Sequence, residues 1–257
     1  MLNTKEFLAD KLFVKIYENR TDMGKASAGE MAVVLKSLLA EKDEVNIIFA
    51  AAPSQNDFLE TLINTKGIDW NRVNAFHMDE YLGLDRDALQ GFGNFLRDRL
   101  FGKVSMKTVN YIDGNTSDPK KESTRYANLL KQFPPDIVCM GIGENGHIAF
   151  NDPHVARFDD KALAKVVELD EKCRTQQVND GCFAQLTDVP THALTLTIPA
   201  LLSAKYLFCM VPGRLKANAV KRAISGEVSE SCPASILKTH DRAALYIDQD
   251  SASELKS

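Results

Sequence analysis

The chain is poor in cysteine, in long apolar runs and in excess charge of either sign. Its cysteines, Cys139, Cys173, Cys182, Cys209 and Cys232, number five among 257 residues, and no two have Cys-x-x-Cys spacing. An odd count without paired spacing argues against a disulfide framework and against a structural zinc site. Cys139 and Cys209 lie inside apolar runs and read as small core residues, whereas Cys232, in Ser-Cys-Pro, has no such setting. The longest apolar stretches, such as Val45–Pro53, fall far short of the ~18 residues of a membrane span. Met1–Lys15 carries Lys5, Glu6, Asp10 and Lys11 and has no apolar core of signal-peptide length, so a cytoplasmic location is expected. With 31 Lys+Arg against 35 Asp+Glu, the net charge of −4 excludes a strongly basic nucleic-acid binder and a highly charged disordered chain. No Pro-, Gly- or Ser-rich linker and no internal repeat divides the sequence, so a single domain spanning 1–257 is expected.

What is present is an alternation of apolar runs and amphipathic segments. Leu12–Tyr17, Val45–Ala51, Val73–Met78, Asp136–Gly141, Ala193–Ile198, Leu207–Val211 and Ala243–Ile247 read as strands. Val45–Ala51 is apolar but for Asn46, as a strand buried on both faces leads one to expect. Thr21–Glu41, Ser54–Thr65, Pro119–Phe133 and Arg214–Ser225 carry helical spacing; Thr21 or Asp22 and Ser54 are expected caps. The pattern predicts an α/β fold: an open, mostly parallel, Rossmann-like sheet with helices on both faces. Ligands of such sheets bind beyond the carboxyl ends of the strands.

Three strand-end segments concentrate the chemistry. Gly141-Ile-Gly-Glu-Asn-Gly-His-Ile-Ala-Phe-Asn-Asp-Pro153 places three glycines, His147 and two acids directly after a buried strand. Glycine allows close backbone approach to a ligand, and histidine can move protons in either direction; a tight turn holding a hydrogen-bonded histidine reads equally well. Asp79 and Glu80 follow another buried strand; desolvated there, a carboxylate becomes a better base, while the plainer alternative is two solvated loop acids. Val211-Pro-Gly-Arg-Leu-Lys-Ala217 offers Lys216 in a first helical turn, where amides, helix dipole and ammonium suit a phosphate; a solvated lysine is the alternative. Ser54 adds a hydroxyl at another helix start, and Arg174 is a weaker anion-ligand candidate.

Together these segments resemble the glucosamine-6-phosphate deaminase/isomerase family. Gly141–Pro153 is similar to its signature Gly-x-Gly-x-Asp-Gly-His-Ile-Ala-Phe-Asn-Glu-Pro, and Met78-Asp-Glu-Tyr-x-Gly-Leu84 matches its second signature. Gly213 and Lys216 match its phosphate-binding turn, and the related 6-phosphogluconolactonases share the fold. The resemblance runs in order from about Val45 to the last strand. It implies a reaction without cofactor or metal, in which a hexosamine 6-phosphate (glucosamine or galactosamine) becomes a ketose 6-phosphate and ammonia. It implies that His147 opens the sugar ring, that Asp79 carries the C2 proton to C1, and that Ser54, Gly146 and Lys216 bind substrate. It also implies a homo-oligomer.

The chain departs from that pattern at four places. The family's aspartate two residues before the histidine is Asn145, which can orient an imidazole but adds no charge. Its glutamate is Asp152, one methylene shorter. The phosphate loop Thr-Gly-Gly-Thr is replaced by Ala52-Pro-Ser-Gln-Asn56. An expected Arg-x-Lys pair is absent, leaving Lys165 and Arg174 as substitutes. A non-catalytic sugar-phosphate sensor and a lactone hydrolase are the alternatives these departures keep open.

Overall fold

The computed structural model describes residues 3–255; the first two residues of Met1–Lys15 lie outside them. Among the described residues no helix is long and apolar enough to cross a membrane. The strands are β1 (Asn3–Ala9), β2 (Leu12–Tyr17), β3 (Val45–Phe49), β4 (Val73–His77), β5 (Asp79–Tyr81), β6 (Thr108–Asn110), β7 (Ile137–Met140), β8 (Ala164–Glu168), β9 (His192–Leu196), β10 (Tyr206–Val211) and β11 (Ala243–Asp248). The helices are α1 (Arg20–Glu41), α2 (Asn56–Asn64), α3 (Phe92–Leu96), α4 (Pro119–Gln132), α5 (Glu171–Asn179), α6 (Ile198–Leu202) and α7 (Ala217–Ser225).

Eight strands form one sheet in the order β1-β2-β11-β10-β7-β3-β4-β6, parallel throughout except for the β1–β2 hairpin. Side chains alternate across the pleat. Ile47 and Phe49 therefore join the core under α1 and α2, while Ile48 joins the opposite core under α4, α6 and α7. This two-sided burial is the reason the parallel strands read as continuous apolar runs. Cys139 and Cys209 take one core each, as expected of small apolar residues.

The chain moves outward from β3 through β4 to β6, then returns to β7 on the other side of β3 and proceeds through β10 to β11. The direction reverses between β3 and β7, and loops diverging from such a reversal leave a crevice at the carboxyl ends of the strands.

A second, three-stranded antiparallel sheet, β5-β9-β8, roofs that end. It corrects two expectations. Ala193–Ile198 is not part of the parallel sheet; its alternation of Thr and apolar residues is the mark of an antiparallel strand with two unlike faces. Asp79-Glu80-Tyr81 is not the loop end of β4 but the strand β5, with Asp79 opposite Thr195.

The caps differ as well. Asn19, not Thr21 or Asp22, caps α1 by accepting from the Asp22 amide. Ser54 does not cap α2: it lies in a 3₁₀ turn, Pro53–Gln55, that precedes the helix. Lys216 likewise sits in a 3₁₀ turn, Arg214–Lys216, one residue before α7.

Candidate active site

Four of the sequence-predicted residues, Ser54, Asp79, His147 and Lys216, line one cavity at the β3–β7 reversal, together with Gly141 and Gly143. Each arrives from a different element. Ser54 follows β3, Asp79 opens β5, His147 sits in the loop after β7, and Lys216 follows β10. Asp79 and Glu80 are 6% and 8% exposed, so neither is a solvated loop acid.

Burial pushes the Asp79 carboxyl well above the usual range, the neighbouring Glu80 charge adds to this, and the Phe150 amide opposes both. A carboxylate so raised is a stronger base than a free aspartate. Glu80 points away from the cavity and accepts from the amides of Tyr81, Phe92 and Gly93 at 2.8–3.0 Å. Burial nevertheless raises its pKa to about 6. A larger cleft of ≈ 360 Å³ opens beyond Glu80, near Arg97 and Tyr111; Glu80 lines it, but Ser54, Asp79, His147 and Lys216 do not.

His77 went unread in the sequence and governs the bend from β4 into β5. Its Nδ1–H donates to the Asp79 carbonyl at 2.8 Å, and its Nε2 accepts from the Ile112 amide at 2.9 Å. Burial pushes its pKa down to about 4, against the pull of the Asp79 carbonyl and Glu122. A neutral imidazole with both nitrogens engaged is thus built into the support of Asp79.

The glycine loop is shaped around the imidazole of His147. A Cβ on Gly143 would meet that ring at 2.2 Å, so only glycine leaves it room. Gly143 N–H donates to the His147 carbonyl, and Gly146, at φ +93°, closes the turn onto the Gly143 carbonyl. Gly146 is not in the cavity as expected: it faces Cys232, whose Sγ lies 2.9 Å from where a Cβ would be. That contact also accounts for Cys232, which the sequence left without a setting.

Behind the imidazole, its Nδ1 is 2.9 Å from Asp152 Oδ1. Asn145 Nδ2 donates to the same oxygen at 2.8 Å, and the Asp170 amide donates to Oδ2 at 3.1 Å. Burial by itself would raise the Asp152 pKa, but the His147 contact, Asn145 and the Asp170 amide together hold it below the usual value. Asn145 and Asp152 therefore sit behind His147 and outside the cavity wall. The Cys173 thiol joins them, so that an imidazole nitrogen, a carboxylate oxygen and a sulfur lie within 4.8 Å of one another. Asp152 already accepts hydrogen bonds on both oxygens, so this cluster is knit together by its own hydrogen bonds.

Lys216 is 6% exposed, and its Nζ has no hydrogen-bond partner among the described residues. Burial lowers its pKa, opposed by Asp180, Glu144 and Cys173. It is not the solvated lysine of the alternative reading. A buried ammonium without a partner is costly and suits an anion brought by a ligand. Ser54 Oγ, 3.1 Å from Gln55 Nε2, stands on the same cavity.

Arg174 and Lys165 are corrections. The Arg174 guanidinium donates to the Leu186 and Val189 carbonyls at 2.8–2.9 Å, and Lys165 Nζ donates to the Val155 carbonyl and pairs with Asp160. Both cations hold loops and neither lines the cavity. In their place α5 presents Gln176 and Gln177. Arg174 shares α5 with these glutamines, but helix rotation turns Gln176 and Gln177, not the arginine, toward the cavity.

The glucosamine-6-phosphate isomerase/6-phosphogluconolactonase family model matches residues 18–246. A glucosamine-6-phosphate deaminase of Listeria innocua is 35% identical over 212 residues, covering 82% of this chain and 88% of the relative. A glucosamine-6-phosphate deaminase of Exiguobacterium sibiricum is 37% identical over 188 residues, covering 73% of each. Among solved structures, a monomeric glucosamine-6-phosphate deaminase superimposes with a TM-score of 0.84 at 30% identity, covering 93% of this chain and 98% of that one. A 6-phosphogluconolactonase of Thermotoga maritima, at 20% identity and a TM-score of 0.74, shares the fold.

Proposed function

Because the chain belongs to the glucosamine-6-phosphate isomerase/6-phosphogluconolactonase family, we propose that it converts glucosamine 6-phosphate and water to fructose 6-phosphate and ammonia. The observation that carries this reading is the convergence of Asp79 and His147 on a cavity that also holds the unpartnered ammonium of Lys216. The reaction needs a base beside a carbon acid, a proton relay for ring opening and an anchor for the phosphate.

In this reading Lys216 and Ser54 hold the 6-phosphate and orient the sugar. His147 takes the proton of the anomeric hydroxyl and delivers it to the ring oxygen, so the C1–O5 bond breaks and the open aldehyde forms. Asp79 removes the C2 proton while the substrate's own ammonium passes a proton to O1, giving a 1,2-enolamine, and Asp79 then returns its proton to C1. The resulting C2 imine adds water and expels ammonia.

The test is to incubate the protein separately with glucosamine 6-phosphate and galactosamine 6-phosphate and to measure ammonia. Release from the first is expected, with solvent deuterium appearing at C1 of the ketose. Release only from the second would replace the substrate. Tight binding of both without ammonia would favour a sensor. Hydrolysis of 6-phosphogluconolactone that survives Asp79→Asn would favour a lactone hydrolase, which needs no carbon-acid base. A cytoplasmic homo-oligomer is a further proposal; the similar deaminase structure is of a monomer, and a monomer in sedimentation would overturn the oligomer.

A further inference from the structure

The hydrogen-bond donor that faces the Asp79 carboxyl is a backbone group, the Phe150 amide. That amide already has an acceptor. It donates to Thr195 Oγ1 at 3.1 Å. Thr195 is fully buried, lies outside the cavity wall and stands directly opposite Asp79 in the β5–β9 pair, so the two side chains share a face. Ala149, which precedes Phe150, has φ +47°, a left-handed conformation that an alanine keeps only where its surroundings hold it. The bond from Phe150 to Thr195 is one such hold.

A peptide N–H carries a single proton, and what it gives to Thr195 it withholds from Asp79. A carboxylate that accepts fewer amides is less stabilised as the anion and is a stronger base. The Thr195 hydroxyl is itself oriented for this. Its proton goes to the Leu196 carbonyl at 3.1 Å, which leaves a lone pair for Phe150. That carbonyl also accepts from Asn151 Nδ2 at 2.8 Å, so it keeps a partner without Thr195.

We propose that Thr195 is a positioning residue for proton transfer: its hydroxyl draws the Phe150 amide off Asp79, so that the carboxylate is free to take the C2 proton and return it at C1. This role rests on the proposed function; the sharing of the amide does not. The other titratable groups around the carboxyl are Glu80 on its own strand, His147 and Lys216 on the same cavity, and Tyr81, Tyr126 and Cys173, whose titrations the Asp79 charge pushes upward. His77, neutral, meets the Asp79 carbonyl behind it. The side-chain hydrogen bonds of Thr195 run to Phe150 and Leu196 and to none of these groups, so a change at 195 acts on the carboxylate through the amide.

The experiment compares Thr195→Val and Thr195→Ser with the parent. It measures kcat and KM for ammonia release across pH and, without ligand, the carbon-13 NMR titration of the Asp79 carboxyl, assigned with Asp79→Asn. Valine keeps the shape and removes the acceptor, leaving the Phe150 N–H to Asp79. The titration midpoint and the acid limb of kcat/KM both move down by about one pH unit, as one added hydrogen bond to a carboxylate implies. On the plateau kcat falls about threefold, because the base is weaker, and KM is nearly unchanged, because the phosphate anchor is untouched. Serine restores the hydroxyl and returns the midpoint and the limb toward the parent. If Thr195→Val cannot be recovered folded, Thr195→Ala takes its place with the same expected direction. A midpoint that stays at the parent's value or rises when the hydroxyl is removed, or one that Thr195→Ser shares with Thr195→Val, would overturn the proposal. A parent that releases no ammonia would defeat the proposed function instead, and the NMR midpoints still decide whether Thr195 diverts the amide.

Discussion

His147 Nδ1 and Asp152 Oδ1 stand 2.9 Å apart, and Asp152 has no exposure to solvent. Because the carboxylate is enclosed, its hydrogen bonds are not exchanged for water, and the imidazole is held in one orientation with its other nitrogen free to serve the cavity. Asp152→Asn removes the charge and leaves the shape. It is expected to lower kcat about 100-fold, measured as ammonia release. The same pair has a stability consequence. The folded pKa of Asp152 lies below its ordinary 3.8, so between the two values the unfolded chain binds the extra proton and stability rises with pH. The contribution is complete above the ordinary value and is lost as pH falls through the folded one. Urea unfolding from pH 5 downward is therefore expected to be less steeply pH-dependent in Asp152→Asn; identical slopes would refute this.

In the proposed reaction Asp79 is the base and sets the acid limit. As a base it must be ionised, and burial beside Glu80 raises its pKa well above 3.8. As pH falls through the raised value the carboxylate takes up a proton and the base is lost. The acid limb of kcat/KM is expected well above the range of a free aspartate, and Asp79→Asn is expected to abolish deuterium incorporation at C1. A kcat/KM profile flat down to pH 4 would contradict the assignment.

In the proposed reaction Lys216 trades stability for phosphate binding. Its ammonium is buried without a partner among the described residues. Lys216→Met keeps the apolar stem and removes the charge, so the protein without ligand is expected to gain about 1–2 kcal/mol in urea unfolding. The same variant is expected to raise KM for the sugar phosphate by at least about tenfold, because the anion loses its charged donor. Loss of stability together with unchanged KM would assign Lys216 a structural role.

Gly143 is where a single methyl group meets the chemistry. Its Cβ would stand 2.2 Å from the His147 ring, so Gly143→Ala must displace the imidazole. Misplacing a reacting group by about 1 Å can cost about 100-fold in rate, and a loss of kcat of that order is expected, with little change in far-ultraviolet circular dichroism. Full activity in Gly143→Ala would show that the ring can move without penalty.

Much of this architecture is readable from residue order. Parallel strands buried on both faces announce themselves as apolar runs, and β3, β4, β7, β10 and β11 were legible for that reason. Their ends marked the cavity, which is why Ser54, Asp79, His147 and Lys216 were found together. The three-residue strand β5 carried no periodic signal, β8 is short and broken by Lys165 and Glu168, and α5 has too little apolar content to stand out. His77 looked like one more residue of a buried strand, because its two partners, Asp79 and Ile112, are backbone groups that leave no mark in the sequence.

Residue type and spacing were enough to determine most strands of the parallel sheet, the strand ends that open on the cavity and four of the residues that line it, since these follow from local hydropathy and side-chain chemistry. Which charges reach the cavity was decided only on folding. Arg174 and Lys165 have the chemistry of anion ligands, but nearby carbonyls and Asp160 claim them first. Asp170 carries no mark in the sequence and stands against Asn145, 25 residues away. A side chain's partner depends on the helix face and the loop brought opposite it, and that long-range pairing is set by packing of the whole sheet.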